Sequence, residues 1–215
     1  GSGLAAPSLE NSFRGATEQD TAVYLAQIAS YYDAIRRSAE ARACIEKALA
    51  LAPNNTTVLS HAATFAVAHK RWQDAIAYST RALGEDSRLQ HAKVVQALAL
   101  FEVGEAPKAE KLADEVLLES PDDPYTLLLS ARIHKSLNDY GGEAESLERL
   151  IANGSSDDVS TANYRIYLGQ AYAKQGLVEP ALQNYRAALK SGQLDVRQSK
   201  EVEEAIEVVE SKRAQ

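Results

Sequence analysis

Methionine is missing from this chain of 215 residues, cysteine occurs once, and there are only three Phe and six Pro. The single Cys44 excludes an internal disulfide framework and leaves the redox compartment open, so cytoplasm and periplasm are equally compatible. No apolar run approaches the roughly 18 residues of a membrane span, so no helical crossing of a bilayer is expected. Basic residues are in deficit: 23 Lys and Arg against 30 Asp and Glu leave a formal charge of −7, which argues against a general affinity for nucleic acid or anionic lipid. What is abundant is alanine, with 37 copies among 45% hydrophobic and 25% charged residues. Ala is the best helix former, and Pro and Gly, which interrupt helices, are scarce. The composition therefore points to an all-helical globular protein.

A fixed period runs through the sequence. Ala29, Ala63, Ala97, Ala131 and Gly169 are separated by three steps of 34 and one of 38. The same steps link Tyr32, Ala66, Leu100, His134 and Tyr172, then Ala48, Ala82, Val116, Leu150 and Ala188, then Leu49, Leu83, Leu117, Ile151 and Leu189. All four columns shift by four residues at the same step, so an insertion follows Ile151. The polar run Asn153-Gly154-Ser155-Ser156-Asp157-Asp158 is its natural place.

Within each unit the apolar spacing is helical. Leu25, Ile28, Ala29 and Tyr32 fall at i, i+3, i+4, i+7, and Ala41, Ile45, Ala48 and Leu49 at i, i+4, i+7, i+8. A short, mostly polar connection, Asp33 to Ser38, joins the two stripes as in an antiparallel helix pair. Pro107 and Pro180 stand where a second helix would begin, and Pro53 and Pro121 just past the end of one. These features resemble the tetratricopeptide repeat. The likeness is carried by Leu168-Gly169-x-x-Tyr172 with Gly176 and Ala181, by the small residues Ala41, Ala75 and Ala109, and by Ala-Leu-x-Leu-x-Pro from Ala48 to Pro53. Small side chains at a crossing allow two helices to approach to roughly 8–9 Å. The resemblance covers about residues 22–195 and implies a right-handed superhelical solenoid of five helix-turn-helix units. The boundaries expected are 22–55, 56–89, 90–123, 124–161 and 162–195, with a capping helix over 196–215.

Two departures stand out. In the fourth unit the crossing position is Glu143, preceded by Gly141-Gly142, which predicts a second helix that starts late or is rotated. The insertion after Ile151 predicts looser stacking of units four and five, so any hinge is expected near 138–160. At the ends, residues 1–16 read as a cloning remnant (Gly1-Ser2-Gly3) and an irregular tail. Thr17-x-x-Asp20 suits a cap for the first helix, and Asp195 one for a last helix with Val202, Ala205, Ile206 and Val209 on its apolar face.

No catalytic constellation is present. His61 and His69 are eight residues apart, not the i, i+4 of a two-His metal site, and His91 and His134 bring no Cys partner. His134 falls in a core column and reads as a packed histidine. Cys44, beside the stripe residue Ile45, reads as a buried inert thiol. No Gly-rich phosphate loop occurs, and no cofactor and no metal are expected. The acids between Glu102 and Asp123 fall mostly on a helix that the family turns outward, and read as a solvated face.

The resemblance implies that the first helix of each unit lines a concave groove that receives a partner's peptide or helix. In units one and two that face is small and polar. In units three to five it offers Val94, Val95, Leu98, Phe101, Tyr125, Leu128, Leu129, Ile166 and Tyr167, with Arg132, Lys135 and Gln170 among them. These are the candidate contacts, a surface apolar in its second half and basic at its edge, suited to an apolar segment or an amphipathic helix. One subgroup of the family clamps a terminal carboxylate with basic side chains. The matching positions are Ala26, Ser30, His61, His91 and Val95, so that mode is not expected. The function expected is a non-catalytic interaction scaffold or adaptor. Its rivals are a regulatory or targeting domain of a larger protein, such as an enzyme, and a self-associating assembly subunit.

Overall fold

The computed structural model describes residues 17–154 and 159–213. The expectation for residues 1–16 lies outside them, as does the centre of the polar insertion. In chain order the helices are α1 (Glu18–Ala34), α2 (Ser38–Leu51), α3 (Thr56–Ala68), α4 (Trp72–Glu85), α5 (Gln90–Glu102), α6 (Ala106–Glu119), α7 (Pro124–Ser136), α8 (Tyr140–Asn153), α9 (Val159–Lys174), α10 (Val178–Lys190) and α11 (Val196–Arg213). No strand occurs among the described residues. The helices divide into two compact units at Val103 and Gly104: the pairs α1/α2 and α3/α4 followed by α5, and α6 followed by the pairs α7/α8 and α9/α10 and the closing helix α11. Helices α1–α5 belong to the first and α6–α11 to the second. The formal charge is divided as well: residues 1–103 carry ten acids and ten bases, residues 104–215 carry 20 and 13, so the whole −7 lies in the second stretch.

Local chemistry sets the helix ends. The Thr17 hydroxyl accepts from the Asp20 amide at 3.1 Å and the Asp20 carboxylate from the Thr17 amide at 3.2 Å, a reciprocal cap that starts α1. Asp195 and Gln198 exchange the same pair of bonds, at 2.7 and 3.1 Å, at the start of α11. The turn inside each pair has one residue in the left-handed region: Arg36, Lys70, Gly104, Asn138 and Gly176, with φ of 63°, 56°, 87°, 61° and 78°. Those five positions follow the sequence period. The amide after this residue closes back on a carbonyl five residues earlier, as in Arg37 to Tyr32, Arg71 to Ala66, Asp139 to His134 and Leu177 to Tyr172, at 2.8–2.9 Å. A side chain with a Cβ is disfavoured there, and the exposed Lys70 is in that position. Lys70→Gly is expected to stabilise the fold by about 1 kcal/mol, read as a rise in the urea midpoint.

Packing of the first unit centres on Leu25, Ile45, Val58 and Phe65 among alanines, and on Leu59 with Ala82 and Ala92. A fully buried leucine such as Leu25 or Leu59 contributes roughly 2 kcal/mol. In the second unit Leu127, Leu147, Leu150 and Leu168 form one core. Leu182, Tyr185, Val202 and Val209 form another beneath α11.

Both departures resolve differently from the expectation. Helix α8 starts at Tyr140, 34 residues after the start of α6, so Glu143 neither delays nor displaces it. Ala41, Ala75, Ala109 and Ala181 are all 0% exposed, and Glu143, at the same position, is buried at 3%. Helix α9 begins at Val159, three residues ahead of the place its period assigns. The α8–α9 stacking stays tight: Leu147 and Leu150 share a core with Leu168 and Ala171.

Candidate functional site

The second unit holds a cleft of about 530 Å³ walled by three helices. Helix α7 presents Leu128, Ala131, Arg132 and Lys135 at i, i+3, i+4, i+7, and α9 presents Ser160, Asn163, Tyr164 and Tyr167 at the same spacing. Helix α8 supplies the floor through Glu143 and Leu147, and Gln198 of α11 closes one end, its Nε2 donating to Asn163 Oδ1 at 2.9 Å.

The electrostatics centre on Glu143. Burial pushes its carboxyl above the ordinary value of 4.5, while Lys135 and His134 oppose the shift. Lys135 Nζ lies 3.5 Å from Glu143 Oε1, 3.5 Å from Gln170 Oε1 and 5.4 Å from the centre of the Tyr167 ring. The lysine side chain is nevertheless 50% exposed, so each of these contacts is loose.

Of the residues expected from sequence, Leu128, Arg132, Lys135 and Tyr167 meet in this cleft, and Gln170 reaches it through Lys135. Ile166 packs under α11 with Tyr185 and Val202. Tyr125, 79% exposed, stands at the start of α7 and does not line the cleft. Val94, Leu98 and Phe101 are half-buried on α5, in the first unit. Val95 and Leu129 are buried, 7% and 5% exposed. Sequence reasoning missed Tyr164, Asn163, Ser160, Leu147 and Gln198, and took Glu143 for a disturbance. Tyr164 was within reach, since it stands one helical step before Tyr167.

The first unit has a separate cleft of about 430 Å³, lined by Ser30, Thr57, Ser60, His61, Thr64 and His91 with Thr56 and Leu89. Ser30 Oγ pairs with His61 Nδ1 and Thr64 Oγ1 with His91 Nε2, each at 2.9 Å. Burial, then the neighbouring His91, hold His61 below the ordinary histidine value, so it is neutral at pH 7. This is the small, polar face expected of units one and two, and neither Lys nor Arg lines it.

Elsewhere, Cys44 is buried and its thiol is pushed up by that burial, away from reactive thiolate character. His134 is a packed histidine, its Nδ1 3.0 Å from Asp139 Oδ2 and 3.5 Å from Glu110 Oε1. Burial, with Glu148 accepting the hydroxyl proton, pushes the Tyr172 phenol up to about 12. Among the described residues no group of three or more His, Cys, Asp or Glu is placed to hold a metal ion, and no helix is long and apolar enough to cross a membrane.

Antiparallel helix pairs on a 34-residue period, with clefts lined by the first helix of successive pairs, define a helical-repeat protein. Tetratricopeptide repeat family models match residues 22–55 and 94–158. The chain belongs to the tetratricopeptide repeat family. No curated protein matches it by sequence. Among solved structures, it is similar to YrrB, described as a TPR protein with an unusual peptide-binding site, at 16% identity and a TM-score of 0.70, over 87% of this chain and 93% of that one. It is similar to PilW, described as a widely conserved type IV pilus biogenesis factor, at 14% identity and a TM-score of 0.71, over 90% and 87%. MamA 41-end from Desulfovibrio magneticus RS-1 is similar at 12% identity and a TM-score of 0.70, over 80% and 95%. At these identities the likeness speaks to the fold.

Proposed function

We propose that the chain is a non-catalytic interaction scaffold that holds an apolar segment or amphipathic helix of a partner protein against the first helices of its pairs. The principal contact is the cleft between α7, α8 and α9. One observation carries this reading: Leu128, Tyr164 and Tyr167 face an open, half-apolar cleft of about 530 Å³ beside Arg132 and Lys135, a surface chemistry suited to a side-chain anchor. Tyr125, and Leu98 and Phe101 in the first unit, are proposed as further contacts. Peptide binding by a protein of the same fold supports the class of function, although the partner there is that protein's own.

The test places a charge where the anchor would sit. Leu128→Glu is expected to weaken partner capture from a lysate by about 30-fold, while the helical circular-dichroism signal at the assay temperature stays as in wild type. Capture that survives the change in a folded variant overturns the reading.

A further inference from the structure

The Glu143 carboxylate is the feature that the scaffold role leaves unexplained. In the other four pairs its position is filled by an alanine that is 0% exposed. Carrying a carboxylate into that column costs desolvation free energy, and the array does not need it to pack. Glu143 is also the one acidic side chain among the residues that line the cleft. Its opening to solvent is the cleft itself.

What the cleft attracts is visible in the chain's own lysine. The Lys135 ammonium lies among the Glu143 carboxylate, the Gln170 amide oxygen and the face of the Tyr167 ring, three groups that each favour a cation. It arrives from the rim on a half-exposed side chain and makes no contact shorter than 3.5 Å with either oxygen. Such an occupant is readily displaced, because a loosely held, half-solvated ion pair contributes little. The surroundings favour the same sign of charge, since the entire −7 of the chain lies in residues 104–215.

Resting on the scaffold reading above, we propose that this cleft is a receptor for a lysine or arginine side chain of the partner segment. Glu143 is its counter-ion, Gln170 a second acceptor and Tyr167 the ring beneath it, and Lys135 is the chain's own group that the ligand displaces. Leu128, Leu147 and Tyr164 then receive an apolar residue next to the basic one. The opposite arrangement, with Arg132 and Lys135 reading an acidic partner, uses the same cleft but reverses the role of Lys135.

That reversal supplies the test. A phage-displayed library of random 12-residue peptides is selected on the whole chain, and peptides released by Leu128→Glu are synthesised and titrated. The expected peptides carry Lys or Arg at one fixed position beside a leucine or aromatic residue. Norleucine at that position, or Glu143→Gln in the protein, each weakens binding by about tenfold or more, and the two losses together are far less than additive. Lys135→Gln strengthens binding severalfold, an effect that a purely structural lysine would not produce. Should Glu143→Gln fail to fold, the sign of the Lys135→Gln effect decides alone. An acidic fixed position, with Lys135→Gln weakening binding, overturns the cation receptor and leaves the scaffold reading standing. A concentration-dependent dimer in sedimentation that Glu143→Gln disrupts gives the cleft to a second copy of the chain and also overturns the proposal. A selection that yields no peptide sensitive to Leu128→Glu overturns the scaffold reading and the receptor with it.

Discussion

Gly169→Val is expected to unfold the end of the second unit, with a loss of about 3 kcal/mol read from urea denaturation followed by circular dichroism. A Cβ at this glycine would fall 2.6 Å from Cε1 and 2.7 Å from Cδ1 of Tyr185, a buried side chain packed with Leu182, Val202 and Val209. The helices must separate or the tyrosine must leave its rotamer, towards the cleft that it borders with Ala205 and Val209. The pairing of sizes is specific to each repeat. Ala29 shares a core with Ile45, sixteen residues on, and Ala131 likewise with Leu147, while Tyr185 lies against the one glycine in its column. Gly169→Ala, a smaller insult, is therefore expected to be largely rescued by Tyr185→Leu, which recreates the Ala131–Leu147 pair. An equal cost of Gly169→Ala in both backgrounds would sink the size-matching account.

Glu143→Ala is expected to act in the other direction and raise stability by about 2 kcal/mol. It restores the residue found at Ala41, Ala75, Ala109 and Ala181, and it strands no buried cation because Lys135 is half in water. The pH dependence follows from the raised Glu143 pKa. A carboxyl that binds its proton more tightly in the folded chain than in the unfolded one favours folding below the ordinary value of 4.5, and that advantage is lost as pH rises through the folded value. Wild type should therefore gain on Glu143→Gln as the pH falls from 7 towards 4.5, whatever the remaining acids do, because their contributions cancel in the comparison. A stability difference that stays constant over that window would mean that the carboxylate is not held away from water. A variant that is more stable yet binds less is the expected sign of a residue kept for recognition.

The repeat, its caps and its phase were legible in the sequence because each rests on local chemistry. Thr17 with Asp20, and Asp195, announced helix starts, and Pro107 stands within the first turn of α6. What escaped depends on which neighbour covers a residue. Leu127, Leu128 and Leu129 are chemically alike, but the first is fully buried, the second faces the cleft, and the third is 5% exposed. A first helix packs against its own partner and against the next pair, so an apolar stripe alone does not tell core from cleft. The left-handed turn positions escaped for a different reason: Arg36, Lys70 and Asn138 carry none of the glycine signal that marks Gly104 and Gly176. Glu143 stands out in the sequence as a departure that predicts a late or rotated helix, but the helix begins on schedule and the carboxylate lines the cleft.

The uneven division of charge has a consequence in time. A cationic segment approaching residues 104–215 is drawn by their excess of acids before any side chain touches, and this field is screened over about 8 Å at physiological ionic strength. Added salt should therefore slow the association of such a segment and leave its residence time, set by the enclosed contacts, nearly unchanged. The neutral first stretch, with ten acids and ten bases, exerts no such pull, so encounters are biased towards one end of the chain before recognition begins.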